Sequence, residues 1–439
     1  MFVQQETIFA LATGAGKSAI AIIRISGPQT RDALQALAGL VPVPRLATLA
    51  ALRDAKGRVL DQALVLWFPG PSSFTGEDCA ELHLHGGRAV IAGVISALAA
   101  LAGCRPAEPG EFTRRAFLNG KMDLTEVEGL ADLIDAETQA QRRQALRHLD
   151  GALGQQAERW REALLQAQAA VEAEIDFSDE GDVPADVAAA MAVRVQFVLQ
   201  DLRALLAAPP VGERIRDGFH VVIAGPPNAG KSTLMNALAR RDVAIVSAQA
   251  GTTRDLLEVH LELDGLPVVL VDTAGLRAAS DEVEQEGVRR SLARAERADL
   301  ILSLREIGQG GADLIVASDA PQLDVLTKAD AHPGATAHKS LVISARTGAG
   351  LDRLVAEVAN RARAGLVGGE GGLITRERHR QALQAAEACL TRLIESPNLP
   401  IELVAEELRL AANELGRISG RISPEDILGQ IFSSFCIGK

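Results

Sequence analysis

Gly225-Pro226-Pro227-Asn228-Ala229-Gly230-Lys231-Ser232 follows an apolar run, 219–224, and opens a helical pattern over 231–238. Strand, glycine-rich turn and helix in that order fit GxxxxGK[ST], where backbone N–H groups at a helix N-terminus cradle phosphates. Asn228, Ala229, Gly230 and Thr233 complete the cradle. Lys231 is placed to reach the β- and γ-phosphates, and the Ser232 hydroxyl to ligate Mg²⁺. The motif predicts a doubly wound α/β domain around it.

Three further pieces lie downstream at the distances such a domain needs. Leu256 and the alternating residues that follow it read as a strand, Asp264-Gly265 as a type I′ hairpin turn, and 266–271 as the returning strand. That strand ends in Asp272-Thr273-Ala274-Gly275, which places Asp272 to hold Mg²⁺ through water and the Gly275 N–H to meet the γ-phosphate. Gly251-Thr252-Thr253-Arg254-Asp255 lies between loop and strand, where Thr253 can supply a second Mg²⁺ ligand. Thr327-Lys328-Ala329-Asp330 follows the strand 323–326. The Asp330 carboxylate can accept from both N1–H and the exocyclic amine of guanine, a pair adenine does not present, so the expected nucleotide is GTP. Leu276 stands where Ras-like enzymes carry the Gln that orients water, so another group must position the nucleophile; Asp281, Glu282, Glu284 and Glu286 follow directly.

Working outward, the α/β segment ends near 364 and is followed by a run read as a flexible linker, Gly368-Gly369-Glu370-Gly371-Gly372. Helical patterns resume at Thr375, and Ser423-Pro424-Glu425-Asp426 is a helix start. Alanine-rich helical patterns also occupy 124–206, interrupted by an acidic break at 176–184, and Pro209, Pro210 and Gly212 mark a boundary. The α/β domain is therefore inserted into a helical domain whose halves flank it. Residues 1–121 mix short β-like runs (19–25, 63–68, 81–85) with turns and an apolar helix from Ala89, an α+β pattern. A second glycine loop, Leu11-Ala12-Thr13-Gly14-Ala15-Gly16-Lys17-Ser18, lacks the leading Gly and a following helix, so it is not read as a nucleotide loop.

The 439 residues, with 47% hydrophobic and 23% charged, describe ordinary globular domains. No Tyr and only 2 Trp leave few rings for stacking bases, and 45 basic against 57 acidic residues give a net charge of −12. Any nucleic-acid partner needs a local basic patch or a second protein. Cys79, Cys104, Cys389 and Cys436 form no zinc spacing, and a reducing cytoplasm is the expected setting. The uncharged run 89–104 falls short of the roughly 18 residues of a spanning helix, so no membrane role is expected.

Several stretches resemble the tRNA-modification GTPase family MnmE, also called TrmE. They are Ile22-Ile23-Arg24-Ile25-Ser26-Gly27, His85-Gly86-Gly87, the segment from Pro109 through Glu111, Phe112 and Arg115 to Lys121, the phosphate loop, 251–255, and the terminal Cys436-Ile437-Gly438-Lys439. The resemblance implies a folate-binding, dimerising α+β domain (1–121), an all-α domain in two parts (122–212 and 371–439) and an inserted Ras-like P-loop GTPase domain (213–370). It implies a homodimer that works with the FAD-dependent partner MnmG. Together they add an aminomethyl or carboxymethylaminomethyl group to C5 of the wobble uridine of certain tRNAs, with the carbon drawn from 5-formyl- or methylene-tetrahydrofolate. It further implies GTP hydrolysis activated by K⁺ and by pairing of GTPase domains, with Asn228 and the segment containing Ser247, Gln249, Thr252 and Thr253 as K⁺ ligands. Glu284 matches the water-orienting acid. Arg24, Glu81, Lys121 and Lys439 match the folate site, with Glu81 the expected partner of the pterin edge. Ser344, Ala345 and Arg346 join Thr327, Lys328 and Asp330 around the guanine.

Two departures from the family pattern stand out. Thr327 replaces the usual Asn, which spares recognition by Asp330 and predicts weaker bracing of the base loop. Ser247 replaces the common Thr, and Gln249 occupies a backbone-ligand position that tolerates the change. The competing reading is a GTP-switched binding module, such as a ribosome-assembly factor, against which the Lys121 and Lys439 matches argue.

Overall fold

A computed structural model describes residues 6–14, 16–176, 187–241, 243–245, 258–272, 298–308, 320–334, 340–366, 370–396 and 398–422, with 429, 431, 432, 435 and 438. The chain forms two compact units, Met1–Ala131 with Gly416–Lys439, and Asp132–Leu415. Residues 122–131 and 416–439, read from sequence as parts of the helical domain, thus fall in the compact unit of the N-terminal residues. Among the described residues no helix is long and apolar enough to cross a membrane.

The first unit is α+β. Strands β1 (Thr7–Leu11), β2 (Ile20–Ser26), β3 (Thr48–Arg53), β4 (Val59–Phe68), β5 (Cys79–His85) and β6 (Cys104–Pro106) form one sheet in the order β3-β4-β5-β2-β1-β6. Helices α1 (Thr30–Ala38) and α2 (Arg88–Ala99) bury Leu34, Leu37, Val94 and Leu98 against Ile23, Ile25, Leu52, Val65, Leu82 and Leu84. The strand side chains facing those helices recur every second residue, as a sheet with one covered face requires. The second glycine loop is a hairpin connection: Ile22 donates its N–H to Thr13 Oγ1 at 3.3 Å, and β2, not a helix, follows.

Helix α3 (Glu111–Leu118) carries a buried ionic cluster. Arg115, 1% exposed, donates to Glu77 Oε2 at 2.9 Å, to the Glu6 carbonyl at 3.1 Å and to Glu111 Oε1 at 3.0 Å. Arg105 clasps both Glu111 oxygens at 2.6 and 2.8 Å, and the Glu108 N–H donates to Oε2 at 2.9 Å. Burial alone would raise the Glu111 pKa, but the Arg105 bonds, the Glu108 N–H and Arg115 outweigh it and bring it down to about 2. In the second half of this unit, Phe432 and Phe435 pack with Val127, Phe117 and Leu130.

The second unit contains helices α4 (Leu124–Asp135, whose first turns belong to the other unit), α5 (Gln139–Leu149), α6 (Ala152–Asp176), α7 (Val187–Ala207) and the short α8 (Val211–Asp217). Strands β7 (Phe219–Ala224), β8 (Glu258–Leu263), β9 (Leu266–Asp272), β10 (Leu300–Glu306), β11 (Gln322–Thr327) and β12 (Leu341–Val342) form a second sheet, order β12-β11-β10-β7-β9-β8. All pairings are parallel except β8 with β9. Every residue of β9 is buried, as expected of a strand covered on both faces. Asp264 and Gly265 take φ of 53° and 79°, the two left-handed residues that a type I′ turn requires. Helices α9 (Lys231–Ala239) and α10 (Leu351–Leu366) pack on this sheet, and α11 (Glu377–Glu395) and α12 (Ile401–Ser419) complete the helical part.

The described part of the glycine run after α10 is held in place. Residues 370–373 form a 3-10 turn, and the Gly372 carbonyl accepts from Gln144 Nε2 at 3.4 Å. Pro209 and Pro210 directly precede helix α8. The acidic break and the helix start at Ser423 lie outside the described residues.

The depressed Glu111 pKa makes stability depend on pH with a definite sign. The group contributes fully above its ordinary value of 4.5, and that contribution is lost as pH falls toward about 2, a difference on the order of 3 kcal/mol. Glu111→Gln should lower the unfolding free energy of the N-terminal unit by roughly that amount at pH 7 in urea titrations. The gap between variant and wild type should close as the pH is lowered through this range; a pH-independent gap would contradict the assignment.

Candidate functional site

The loop between β7 and α9 is built around backbone that only particular residues adopt. Asn228 and Gly230 take φ of 66° and 93°, and a Cβ on Gly225 would stand 2.6 Å from the Leu304 carbonyl. The turn therefore hugs the end of β10 and delivers the N-terminus of α9, with its unpaired N–H groups, to one point. Lys231, 8% exposed, arches over this loop, and its Nζ donates to the Gly225 carbonyl at 2.8 Å and the Pro226 carbonyl at 3.1 Å. From α9 the Ser232 hydroxyl donates to Asp272 Oδ2, at the end of β9, at 3.3 Å. A hydroxyl and a carboxylate converging beside a phosphate cradle are hard oxygen donors suited to Mg²⁺.

The base-reading side is formed by the ends of β11 and β12. Thr327 is buried, and its hydroxyl donates to the Ala229 carbonyl of the phosphate loop at 2.8 Å, with the Arg305 carbonyl at 3.2 Å. The hydroxyl thus keeps a bond between base loop and phosphate loop in the place of the usual Asn. Lys328 takes φ of 61°, and its ammonium pairs with Glu306 at 2.7 Å. Asp330 accepts from the Ser344 hydroxyl at 2.6 Å on Oδ1, and its Oδ2 pairs with Arg346 Nε at 2.9 Å. These contacts, the Ser344 bond foremost, hold its carboxyl below the usual range. The Ala329 N–H donates to the Ile343 carbonyl at 3.1 Å, tying the two loops.

In the N-terminal unit, Arg24 and Glu81 meet across β2 and β5, where they are register partners. Arg24 donates from Nε and Nη2 to Glu81 Oε1 at 3.2 and 3.0 Å, and its guanidinium lies between the Phe74 and Phe112 rings at 5.1 and 5.9 Å. His83 Nε2 stands 3.3 Å from Glu81 Oε2. Lys121 runs beside Gly76, in the same loop as Phe74; a Cβ there would sit 3.3 Å from Lys121 Cγ. Three of the four sequence-predicted folate residues are thus gathered around one loop and one pair of strands. Sequence reasoning missed Phe74 and His83, although Glu81-Leu82-His83 alternates in a strand and so puts both polar groups on one face. Ser247, Gln249, Gly251, Thr252, Thr253, Thr273, Ala274, Gly275, Glu284, Cys436 and Lys439 lie outside the described residues.

Comparison with known proteins gives these sites a family. The MnmE helical domain matches residues 124–436, and the GTP-binding protein TrmE N-terminus matches 7–121. A tRNA modification GTPase MnmE from Beijerinckia indica subsp. indica is 58% identical over 439 residues, covering 99% of this chain and 96% of the relative. The chain belongs to the MnmE family of tRNA modification GTPases. A MnmE from Bradyrhizobium sp. ORS 278 is 56% identical, with full coverage of both. Among solved structures, the G domain of the T. maritima FeoB iron transporter is similar over 33% of this chain and 98% of its own, at 22% identity and a TM-score of 0.25.

Within this MnmE-family GTPase the Thr327 hydroxyl is the described side-chain bond from the base loop to the phosphate loop. Thr327→Val keeps the shape and leaves the buried Ala229 carbonyl without that donor, a loss of about 1–3 kcal/mol. Affinity for a fluorescent GDP analogue should fall about tenfold in Thr327→Val and return toward wild type in Thr327→Asn. Equal affinity in all three would show that the brace does not bear on nucleotide binding.

Proposed function

We propose that this GTPase hydrolyses GTP to drive modification of C5 of the wobble uridine of certain tRNAs, adding an aminomethyl or carboxymethylaminomethyl group together with the flavoprotein MnmG. The observation that carries the reading is the presence on one chain of the phosphate-loop and Asp330 contacts and of an Arg24–Glu81 ion pair in the region matching the TrmE N-terminus. Its full-length relatives bear the name tRNA modification GTPase.

In the GTP site, Lys231 exchanges the Gly225 and Pro226 carbonyls for phosphate oxygens, and the α9 N-terminus offers its N–H groups to the same anion. Ser232 would ligate Mg²⁺, with Thr253 the second side-chain ligand and Asp272 acting through water; the ion would supply positive charge beside the phosphates. Asn228, with the segment of Ser247, Gln249, Gly251 and Thr252, holds K⁺, which supplies fixed positive charge where an arginine finger would act. Glu284 orients the attacking water, and Thr273, Ala274 and Gly275 border the γ-phosphate. Asp330 reads guanine, flanked by Thr327, Lys328, Ser344, Ala345 and Arg346.

The N-terminal domain, 1–121, takes a tetrahydrofolate derivative, 5-formyl or methylene. Lys121 and Lys439 suit its glutamate carboxylates, and Glu81, held at Oε1 by Arg24 and with His83 beside Oε2, suits a donor edge such as the pterin's. The helical domain, 122–212 and 371–439, flanks the GTPase domain, 213–370. The protein works as a cytoplasmic homodimer joined through the N-terminal domain. With a net charge of −12 its field opposes tRNA, so the basic surface comes largely from the flavoprotein, with local help from Arg and Lys clusters here.

A steady-state GTPase assay in K⁺ and in Na⁺, on wild type and Glu284→Ala, tests the hydrolytic mechanism. Replacing K⁺ and removing the carboxylate should each cut turnover by roughly two orders of magnitude while GTP affinity changes little. Normal turnover in Glu284→Ala would remove that residue from the mechanism.

A further inference from the structure

Asp330 and Arg346 form an ion pair of unequal members. The carboxylate side chain is 17% exposed and fixed, because the Ser344 hydroxyl holds Oδ1 at 2.6 Å; the guanidinium side chain is 77% exposed and meets Oδ2 through Nε at 2.9 Å. The loop beneath Arg346 is itself rigid. The Ser344 N–H donates to the Ala349 carbonyl at 2.8 Å, the Gly348 N–H donates to the Ser344 carbonyl at 2.9 Å, and a Cβ on Gly350 would lie 2.3 Å from the Val342 carbonyl. The Arg346 side chain, by contrast, lies mostly in solvent.

Guanine contains the same chemical fragment as that side chain: N1–H and the exocyclic N2 amine are carried on one carbon, as the Nε–H and an amine are in guanidinium. Both present neighbouring N–H donors to a carboxylate. Ser344 fills one acceptor site of Oδ1 and Arg346 stands at Oδ2, the oxygen that a base using both carboxylate oxygens must also reach. We propose that Arg346 is an intramolecular competitor of guanine for the Asp330 carboxylate, setting the rate at which GTP and GDP enter. A base able to replace both the charge-assisted bond and its geometry displaces the guanidinium. Adenine, with a lone pair at N1, would break the pair and return only one donor, so the competitor also sharpens the choice of base.

An exposed pair of this kind is weak, which bounds the effect at about two- to fivefold. Stopped-flow binding of a fluorescent GDP analogue to the full-length protein reads it directly. Arg346→Ala should raise the association rate constant by about two- to fivefold at low salt. Arg346→Lys, which keeps a point charge without the planar fork, should show a smaller rise. The ratio of variant to wild type should fall toward one as salt screens the pair. An association rate equal to or below wild type in Arg346→Ala, or an effect confined to dissociation, would overturn the proposal.

Discussion

The fold of the larger unit depends on one seam, where the GTPase domain leaves the helical domain and returns to it. Gln144 of α5 donates from a single amide nitrogen to the Gly212 carbonyl on the way in, at 3.0 Å, and to the Gly372 carbonyl on the way out, at 3.4 Å. The two passing chains touch: a Cβ on Gly212 would lie 2.2 Å from the Ile374 carbonyl. Because entry and exit are adjacent, a whole domain can be inserted without parting the helices that flank it. Ionic contacts secure the same place. Arg380 pairs with Glu213 at 3.0 Å, Arg376 with Asp132 at 2.9 Å, and Arg216 donates to the Thr375 carbonyl at 3.2 Å.

A second attachment joins the inserted domain to the helices through the tip of the β8–β9 hairpin. The Ala140 N–H of α5 donates to the Gly265 carbonyl at 3.0 Å, Ala140 is buried in the core of the inserted domain, and His260 stands 3.3 Å from Glu137. This hairpin ends in Asp272, the proposed Mg²⁺ residue. The nucleotide site is therefore linked to the helical domain by a strand and one backbone hydrogen bond, as well as by the seam at α8. A flexible-tether reading of the glycine run at 368–372 overlooked both attachments, because composition reports the freedom of an isolated chain and not the partners that remove it.

What could be read in the sequence was what local pattern encodes. The phosphate loop, the type I′ turn and the strand ending at Asp272 each depend on residues within a few positions, and their order gave the α/β topology. Short strands such as β1, β3 and β6 escaped notice because three to six residues carry too little periodicity to separate from loop. Long-range pairings were also illegible: nothing near Arg115 announces Glu77, nothing near Thr327 announces Ala229, and nothing near Asp330 announces Arg346 as its occupant. Glu111 and Arg115 lie in a segment that was quoted only for its family likeness, yet their described contacts form the buried ionic core of α3. At the Thr-for-Asn exchange, the Thr327 hydroxyl donates to the Ala229 carbonyl of the phosphate loop.

The central claim is that nucleotide hydrolysis here serves a modification of tRNA and is not merely a switch for assembly. Mass spectrometry of nucleosides from total tRNA tests it most directly, in cells lacking the protein and in the same cells carrying wild type or Lys231→Ala. The account predicts that the aminomethyl-type substituents at C5 of wobble uridine disappear in its absence, return with wild type and stay absent with Lys231→Ala. Unchanged wobble nucleosides in cells lacking the protein would contradict it.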